Sequence, residues 1–350
     1  MAMEFGMFHQ FPVVPGGSET DAFEQAFAQV DAAERYGLDA MWLAELHVDP
    51  ARSVLAAPMT IASAIAARTE RIKIGIAVQV LPLCHPLRIA EEAATVDQIS
   101  HGRLIFGVGR SGLPRTYEAY GIPYGESKDR FAETLHVIEQ AWSAPRFSYE
   151  GKYHSFDNVA VTPKPYQKPL PPIRVAASSP DTFPAIGKLG YPIFVMPRGT
   201  FSDMLPAIES YRAAYRAAGH PGDGRVYMRV PLYVGETAER ARAEPEPSIM
   251  HFFREQAARL RASANRPGTS ASEGRAERAA MLDNLTYEDA IRGKLIIGTP
   301  EQAAEQLHAL QDELGLDGIL AELNTGGRIP HDCLMNALRL LCTEVMPRFH

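Results

Sequence analysis

Residues 71–110, RIKIGIAVQVLPLCHPLRIAEEAATVDQISHGRLIFGVGR, decide the fold. The runs 72–80 and 103–108 are short and largely apolar, as is typical of strands buried on both faces. Residues 86–99 between them have apolar side chains at three- and four-residue spacing, begin with a proline and are followed by a glycine, which is the pattern of a helix. Strand, helix and strand in this order predict two parallel strands joined by a crossover helix.

The same alternation of strand and helix continues along the whole chain. We predict eight strands, at residues 4–8, 39–43, 72–80, 103–108, 172–177, 192–196, 226–234 and 318–323. Helices are predicted at residues 20–36, 86–99, 128–142, 203–218, 300–314 and 331–345. No shift in composition marks a domain boundary. The sequence therefore predicts an α/β protein with a single (β/α)8 TIM barrel over residues 1–350.

Two stretches are longer than the connections of a minimal barrel and predict insertions after the fourth and seventh strands. Residues 144–171 contain five prolines and several aromatic residues, which indicates an ordered excursion. Residues 245–293 are rich in Ala, Arg, Glu and Ser, with SANRPGTSASEG at the centre. We expect this second insertion to be a mobile lid over the active face, and a solvated surface linker is the alternative.

Charge and cysteine content limit the possible partners. Lys and Arg number 35 against 42 for Asp and Glu, and the net charge of −7 argues against nucleic acid as a partner. Three scattered cysteines indicate neither a disulfide framework nor a zinc site, and no metal site is predicted. We find no secretion signal and no apolar run of about 18 residues, so we expect a cytoplasmic protein without a membrane partner. A small molecule is the expected ligand.

Polar residues follow several of the predicted strands, where barrel enzymes place their chemistry. Glu45 and His47 come after the second strand and would provide a carboxylate and an imidazole for acid–base work near neutral pH. Arg110 lies in the glycine-rich loop GVGRSG after the fourth strand. Its guanidinium has five N–H donors that suit a phosphate, although an arginine that stabilises its own loop is equally common.

The fifth strand leads into the sequence SSPDT at residues 178–182. Pro180 is placed as the first residue of a helix, with Ser179 before it as the cap. The free backbone N–H groups and hydroxyls at such a terminus suit a phosphomonoester, and plain helix capping is the alternative.

Several long motifs together resemble one family. They are MEFGMF, AAERYGLDAMWLAELH, the whole of residues 71–110, KDRFAETL, PIRVAASSPDT, IIGTPEQAAEQL and GLDGILAEL. In these stretches, which span most of the chain, the sequence resembles the bacterial luciferase-like, flavin-dependent monooxygenases. The resemblance implies a luciferase-like TIM barrel that uses reduced FMN, delivered by a separate flavin reductase, and O2 to oxygenate a small, largely apolar organic substrate.

The resemblance also implies roles for individual residues and a mode of assembly. The cofactor-binding residues would be Ala77, Val78, Gly109, Arg110, Arg130, Ala177, Ser178, Ser179 and Thr182. Ala77-Val78 falls where luciferases have a cis peptide beneath the flavin ring. The substrate would contact Phe8, His9, Leu46 and Met196. The family commonly pairs through its early helices, and the small, apolar run at residues 56–67 makes a homodimer the expected assembly.

Two positions depart from the luciferase pattern. Leu46 stands where luciferase has its catalytic histidine, and Gly109 stands where luciferase has a reactive cysteine. Light emission is therefore not expected, and Glu45 and His47 are the candidate catalytic residues. Two alternatives stay open: an oxidoreductase that transfers hydride to or from a deazaflavin, and a flavin-binding protein without turnover.

Overall fold

The computed structural model describes residues 3–197, 199–264 and 274–349. The strands are β1 (Glu4–His9), β2 (Ala40–Leu43), β3 (Lys73–Ile76), β4 (Gln79–Val80), β5 (Leu104–Gly109), β6 (Phe147–Glu150), β7 (Ser155–Val159), β8 (Ile173–Ala177), β9 (Ile193–Val195), β10 (Val226–Val234), β11 (Ile296–Gly298) and β12 (Gly318–Glu322). The helices are α1 (Glu19–Tyr36), α2 (Pro58–Arg68), α3 (Pro86–Ile99), α4 (Pro114–Ala119), α5 (Ser127–Ser143), α6 (Thr182–Leu189), α7 (Leu205–Ala217), α8 (Ala238–Ala243), α9 (Glu246–Ala264), α10 (Arg275–Asp283), α11 (Tyr287–Ile291), α12 (Pro300–Leu314) and α13 (His331–Leu340).

Eight parallel strands close into a barrel, which confirms the predicted fold. Their order around the barrel is β1, β2, β3, β5, β8, β9, β10, β12 and back to β1. At the closure, Glu4 of β1 lies opposite Gly318 of β12 and Gly6 lies opposite Ala40 of β2. Because all strands are parallel, their carboxyl ends meet at one edge of the barrel.

The local sequence explains why the helices end where they do. Helices α3 and α12 have the limits that the sequence predicts, and each begins with a proline at its first turn. Thr299 caps α12 through a reciprocal bond with Gln302, and Gly315 ends it with a φ of 61°. A positive φ costs glycine little, so the glycine stops the helix and turns the chain towards β12.

The core has two layers, one between the barrel and its helices and one inside the barrel. Trp42 occupies the inside of the barrel and is fully buried. A Cβ atom at Gly6 would lie 2.3 Å from the Trp42 indole nitrogen, and one at Gly75 would lie 2.0 Å from its ring carbon. Both glycines therefore make room for the tryptophan, and the lumen is a packed core.

Three details differ from the sequence prediction. The expected strand at residues 72–80 is interrupted after Ile76, at the Ala77–Val78 cis peptide bond, and resumes as β4. The insertion at 144–171 contains an antiparallel hairpin of β6 and β7, which no turn signal revealed. Strand β11 was not predicted, because its few residues pair only with the far end of β10.

The insertion after the seventh barrel strand is mainly helical where it is described. Helix α9 packs against α10, and Ile249, Phe253 and Tyr287 form a small apolar core between α9 and α11. Most of the sequence SANRPGTSASEG, which was predicted to be mobile, lies outside the described residues. Within the described ranges, no helix is long and apolar enough to cross a membrane.

Candidate active site

The carboxyl edge of the barrel has an apolar floor. Phe8 lies near the end of β1 and belongs to the apolar cluster inside the barrel. Leu46 after β2, and Ala77 and Val78 after β3, pack against this cluster. Gly109 lies beside this floor, where an added Cβ atom would be 2.5 Å from Val78 Cγ2. A glycine is therefore required at position 109, and a cysteine of the luciferase type does not fit there without movement of Val78. The Ala77–Val78 peptide bond is cis, as the resemblance implies.

Glu45 and His47 form the pair that the sequence predicts. His47 Nε2 lies 2.7 Å from Glu45 Oε1, and the side chains are only 11% and 4% exposed. The other carboxylate oxygen of Glu45 accepts hydrogen bonds from Gln79 Nε2 at 2.5 Å and from the Val80 N–H at 2.8 Å. The Glu45 carboxylate thus accepts hydrogen bonds through one oxygen from a backbone N–H and an amide, and contacts the imidazole of His47 through the other.

The second nitrogen of the same imidazole contacts a residue that the sequence did not indicate. His47 Nδ1 lies 3.0 Å from the Tyr120 hydroxyl, and the two rings pack edge to face. Since Glu45 accepts from Nε2–H, the neutral tautomer leaves a lone pair on Nδ1 for the tyrosine proton, a tautomer assigned from the hydrogen-bond network. Burial raises the pKa of Tyr120, and the Glu45 charge raises it further. Because Tyr120 is 48% exposed, it connects His47 with solvent.

The cationic side of the edge is built around Arg110, which follows β5. The Tyr117 hydroxyl donates to the Arg110 carbonyl and fixes the loop backbone. The Arg110 guanidinium makes no hydrogen bond or ion pair with the described residues, so its donors are available to a ligand. Strand β5 pairs with β8, with Val108 opposite Val175, and this places Arg110 near Ala177 and the serines after it.

The helix after β8 begins later than the sequence predicts. Helix α6 starts at Thr182, and Ser179 does not cap it by a side-chain bond. The Ser179 hydroxyl instead lies 2.6 Å from Thr182 Oγ1, because Pro180 and Asp181 form a turn ahead of the helix. A side-chain hydrogen bond from Ser179 lowers the pKa of Asp181, with smaller contributions from Lys128 and Arg110. Ser178 is exposed at the same turn.

Arg130 lies at the first turns of α5 and is held from two sides. Its Nε donates to Glu126 at 2.8 Å, and its guanidinium stacks 4.1 Å from the centre of the Tyr153 ring. Tyr153 belongs to the turn between β6 and β7, whose backbone is bound by Glu133 of α5. The insertion at 144–171 thus orients Arg130, a role that composition alone did not indicate.

The predicted substrate residues are divided among different surroundings. Phe8 lines a cavity of about 40 Å³ that opens to solvent. Met196 is exposed, with its sulfur 3.6 Å from Arg229. His9 is buried: Nδ1 accepts the Phe11 N–H at 3.0 Å and Nε2 contacts Gln29 at 2.9 Å. Burial lowers the pKa of His9 to about 4. The His9 ring therefore has no free nitrogen for a ligand.

The sequence analysis assigned no role to several polar residues around this cavity. They are Gln10, Arg52, Arg229 and Glu322, and no local motif distinguishes them. Glu322 ends β12 and accepts from Arg229 Nε at 2.8 Å and from Gln10 Nε2 at 2.8 Å. The only available signal was position: Gln10 follows β1, Arg52 lies in the loop after β2 and Glu322 ends β12. Arg229 lies within β10 and had no such signal.

A closed parallel barrel has at its carboxyl edge an apolar floor, a buried Glu–His pair and an arginine that has no ion-pair partner among the described residues, and this arrangement is typical of a TIM-barrel enzyme site. The chain belongs to the family of luciferase-like monooxygenases, whose model matches residues 3–318. This confirms the resemblance and the prediction of a flavin-dependent monooxygenase.

Individual relatives support the same class. The chain is 26% identical over 333 residues to limonene 1,2-monooxygenase of Rhodococcus erythropolis, covering 94% of this chain and 82% of that protein. It is 27% identical over 310 residues to the FMNH2-dependent dimethylsulfone monooxygenase of Pseudomonas putida, covering 87% and 80%. The F420-dependent glucose-6-phosphate dehydrogenase of Kineococcus radiotolerans is 34% identical over 45% of this chain. The solved F420-dependent tetrahydromethanopterin reductase of Methanopyrus kandleri matches the fold over the full chain, with a TM-score of 0.74 at 20% identity.

A solved structure agrees with the fold over the whole chain. It is the oxygenating constituent of 3,6-diketocamphane monooxygenase from Pseudomonas putida, in complex with FMN. The TM-score is 0.83 at 22% identity, and the match covers 99% of each chain.

Proposed function

We propose that the protein is the oxygenase component of a two-component monooxygenase, which takes reduced FMN from a separate flavin reductase and oxygenates a small organic substrate with O2. The observation that carries the proposal is the arrangement at the carboxyl edge, where an apolar floor lies beside a buried Glu–His pair and near Arg110, which has no ion-pair partner in the described ranges. Family membership supplies the type of reaction.

The residues at this edge fit FMN. Val78 and Gly109 form a smooth apolar surface suited to a planar ring, since position 109 has no side chain. Arg110 has its donors free, and the hydroxyls of Ser179 and Thr182 lie beside the start of α6, which suits a phosphate. Arg130 is the second cation, although Glu126 already neutralises part of its charge. Reduced FMN, when bound, supplies the two electrons needed to activate O2.

His47 is the proposed acid–base group. Glu45 orients the ring through Nε2, so proton exchange takes place at Nδ1, where Tyr120 is the neighbour. Leu46 cannot carry a proton and instead adds to the apolar floor. The Glu45–His47–Tyr120 chain thus connects the edge of the floor with solvent.

Helix α9 is the longest described helix of the proposed lid. Phe252 and Arg259 of α9 line the cavity beside Phe8, and Arg259 pairs with Asp49 in the loop after β2 at 3.0 Å. The insertion therefore covers one side of the active face, where it would exclude water from the reaction.

The proposal includes a homodimer formed through α2. Met59, Ile61 and Ile65 of this helix pack onto the protein's own barrel, while Thr60 and Ala64 are exposed on the opposite face. Small side chains on an exposed face allow another helix to approach closely.

Anaerobic titration with reduced FMN, reduced riboflavin and a reduced deazaflavin tests the cofactor, and product analysis with 18O2 tests the reaction. We expect reduced FMN to bind at least as tightly as riboflavin and one 18O atom to enter the product. Binding of the deazaflavin alone, or hydride transfer without oxygen incorporation, would contradict the proposal.

A further inference from the structure

The cavity at the carboxyl edge is lined by both apolar and charged side chains. It lies between the ends of β1 and β12 and helix α9, and its apolar lining includes Phe8, Pro12 and Phe252. Its charged lining consists of Arg52, Arg259, Glu255 and Glu322. The Arg229 guanidinium lies 3.9 Å from the centre of the Phe8 ring. A ligand with both an apolar part and a charged group would match this lining.

The arginines around this cavity differ in how they are neutralised. Arg229 forms a two-point ion pair with Glu322, at 2.8 and 2.5 Å. Arg259 pairs with Asp49 at 3.0 Å and lies 3.6 Å from Glu255. The carboxylates of this region are therefore already engaged with other cations.

Arg52 is the exception. Its Nε donates to the neutral side-chain oxygen of Gln10 at 2.8 Å, and the guanidinium forms no ion pair with any residue in the described ranges. Gln10 cannot turn away, because its amide nitrogen is bound to Glu322. Gln10 thus fixes the orientation of the Arg52 guanidinium and leaves the two terminal nitrogens of that group unused.

The surroundings favour an anion at those nitrogens. Burial lowers the pKa of Arg52 to about 10, with Arg229 as the next cause, and the side chain stays protonated at neutral pH. Glu322 and Asp49 offset part of the repulsion that Arg229 and Arg259 exert on Arg52. An anion that binds there would form charge-assisted hydrogen bonds with the unused donors of Arg52, away from bulk water. A planar carboxylate matches the fork of a guanidinium with two parallel bonds.

We infer that Arg52 binds a carboxylate group of the substrate, so that the substrate class is organic acids with an apolar skeleton. This inference rests on the proposed function, because it places the skeleton over Phe8. Phe8 belongs both to the cavity and to the apolar floor with Leu46 and Val78. The acid group is then held on the β1 and β12 side, and the carbon skeleton extends towards the proposed flavin site.

Matched pairs of ligands test this inference without knowledge of the true substrate. Octanoate with octanamide, and benzoate with benzamide, are titrated into the protein, both flavin-free and saturated with reduced FMN under anaerobic conditions. Each pair has one carbon skeleton and differs in charge. We expect the acid to bind about tenfold or more tightly than the amide in at least one pair.

Arg52→Met should reduce this preference to near one and leave the affinity for reduced FMN unchanged. Arg52→Lys keeps the charge and loses the fork, so the preference should fall severalfold but persist. If thermal unfolding shows that Arg52→Met does not fold, the acid preference of Arg52→Lys still tests the inference. Arg254→Met removes an exposed arginine of the same helix α9 and should leave the preference intact.

Equal binding of acid and amide by the unmodified protein would overturn the inference. A preference that survives both Arg52 substitutions, or that is lost equally in Arg254→Met, would do the same. Failure of reduced FMN to bind would instead contradict the proposed function, and the titrations of the flavin-free protein would still decide the role of Arg52.

Discussion

At the scale of single residues, the absence of an ion pair distinguishes Arg110 from Arg130 as a phosphate ligand. Arg130 is bound by Glu126 and Tyr153, whereas Arg110 has no such partner among the described residues. Arg110→Ala should weaken reduced FMN binding by about 1.5–3 kcal/mol, the range for a charge-assisted hydrogen bond, and leave riboflavin binding almost unchanged. Anaerobic fluorescence titration measures both affinities. Arg115→Ala removes an exposed arginine nearby and serves as control; equal losses for both flavins would exclude the phosphate role.

The helix terminus should contribute less than Arg110. Ser179→Ala combined with Thr182→Ala removes both hydroxyls of the 2.6 Å contact but leaves the backbone N–H groups of α6 in place. We therefore expect a smaller loss that is again selective for FMN over riboflavin. The ratio of the two dissociation constants reports it, and an unchanged ratio would show that the hydroxyls only stabilise the turn.

The contacts of His47 predict separable effects on catalysis and cofactor binding. His47→Gln should lower product formation about 100-fold or more, the usual contribution of a general acid or base, with little change in FMN affinity. Tyr120→Phe preserves the edge-to-face packing and removes one hydrogen bond, so about a fivefold loss is expected from about 1 kcal/mol. Steady-state kcat and KM across pH measure both. A pH profile of Tyr120→Phe identical to that of the parent would exclude the tyrosine from proton transfer.

His9 makes a prediction about stability instead of catalysis. Its pKa is about 4 in the folded protein and 6.5 when unperturbed, so the unfolded chain binds the proton first as the pH falls. The stabilisation by neutral His9 is complete above pH 6.5 and is lost as the pH falls to 4, by about 3 kcal/mol at most. His9→Asn retains an acceptor for the Phe11 N–H. Urea unfolding at pH 7.5 and 5 should show that the free energy of unfolding depends less on pH in the variant than in the parent. An equal pH dependence in both proteins would refute this role of His9.

At the scale of secondary-structure elements, the limits of prediction follow from how local the signals are. Helices α3 and α12 were predicted to the residue, since proline and glycine mark their ends within the chain itself. The break between β3 and β4, in contrast, depends on contacts around Val78. The hairpin of β6 and β7 is held by side chains of α5, such as Glu133. These determinants lie far away in sequence, so a local pattern does not show them.

The same distinction explains the candidate site. Glu45, His47 and Arg110 follow strands directly, and barrel topology alone brings them to one edge. Tyr120 and Arg52 reach that edge from loops and a short helix, and only the folded chain shows their partners. His9 is the last residue of β1, but its ring turns towards Gln29 of α1. The position of His9 in the strand does not determine this orientation.

Helix α9 gives a prediction at this scale. If it shields the reaction from water, Phe252→Ala should open the cavity beside Phe8 and raise hydrogen peroxide release severalfold relative to product. Flavin affinity should change little, because Phe252 lines the cavity beside β1 and β12, whereas Arg110 follows β5. Arg254→Ala, on the exposed side of α9, is the matched control. Assays of oxygen consumption and of hydrogen peroxide measure the share of oxygen that enters the product. An unchanged share in Phe252→Ala would show that the insertion is only a surface element.

At the scale of the whole molecule, the proposed dimer follows from the two faces of α2. One face is buried on the barrel through Met59, Ile61 and Ile65, and the other exposes Thr60 and Ala64. Ala64→Arg places a long charged side chain on the exposed face without affecting the buried one, so it should dissociate a dimer and leave thermal stability of the barrel nearly unchanged. Sedimentation at micromolar concentration should show about 77 kDa for the parent, twice the chain mass of 38.4 kDa, and a single chain for the variant. Arg115→Ala, away from α2, should keep the mass of the parent. A parent that sediments only as a single chain would refute the dimer, and an intact dimer in Ala64→Arg would place the interface elsewhere.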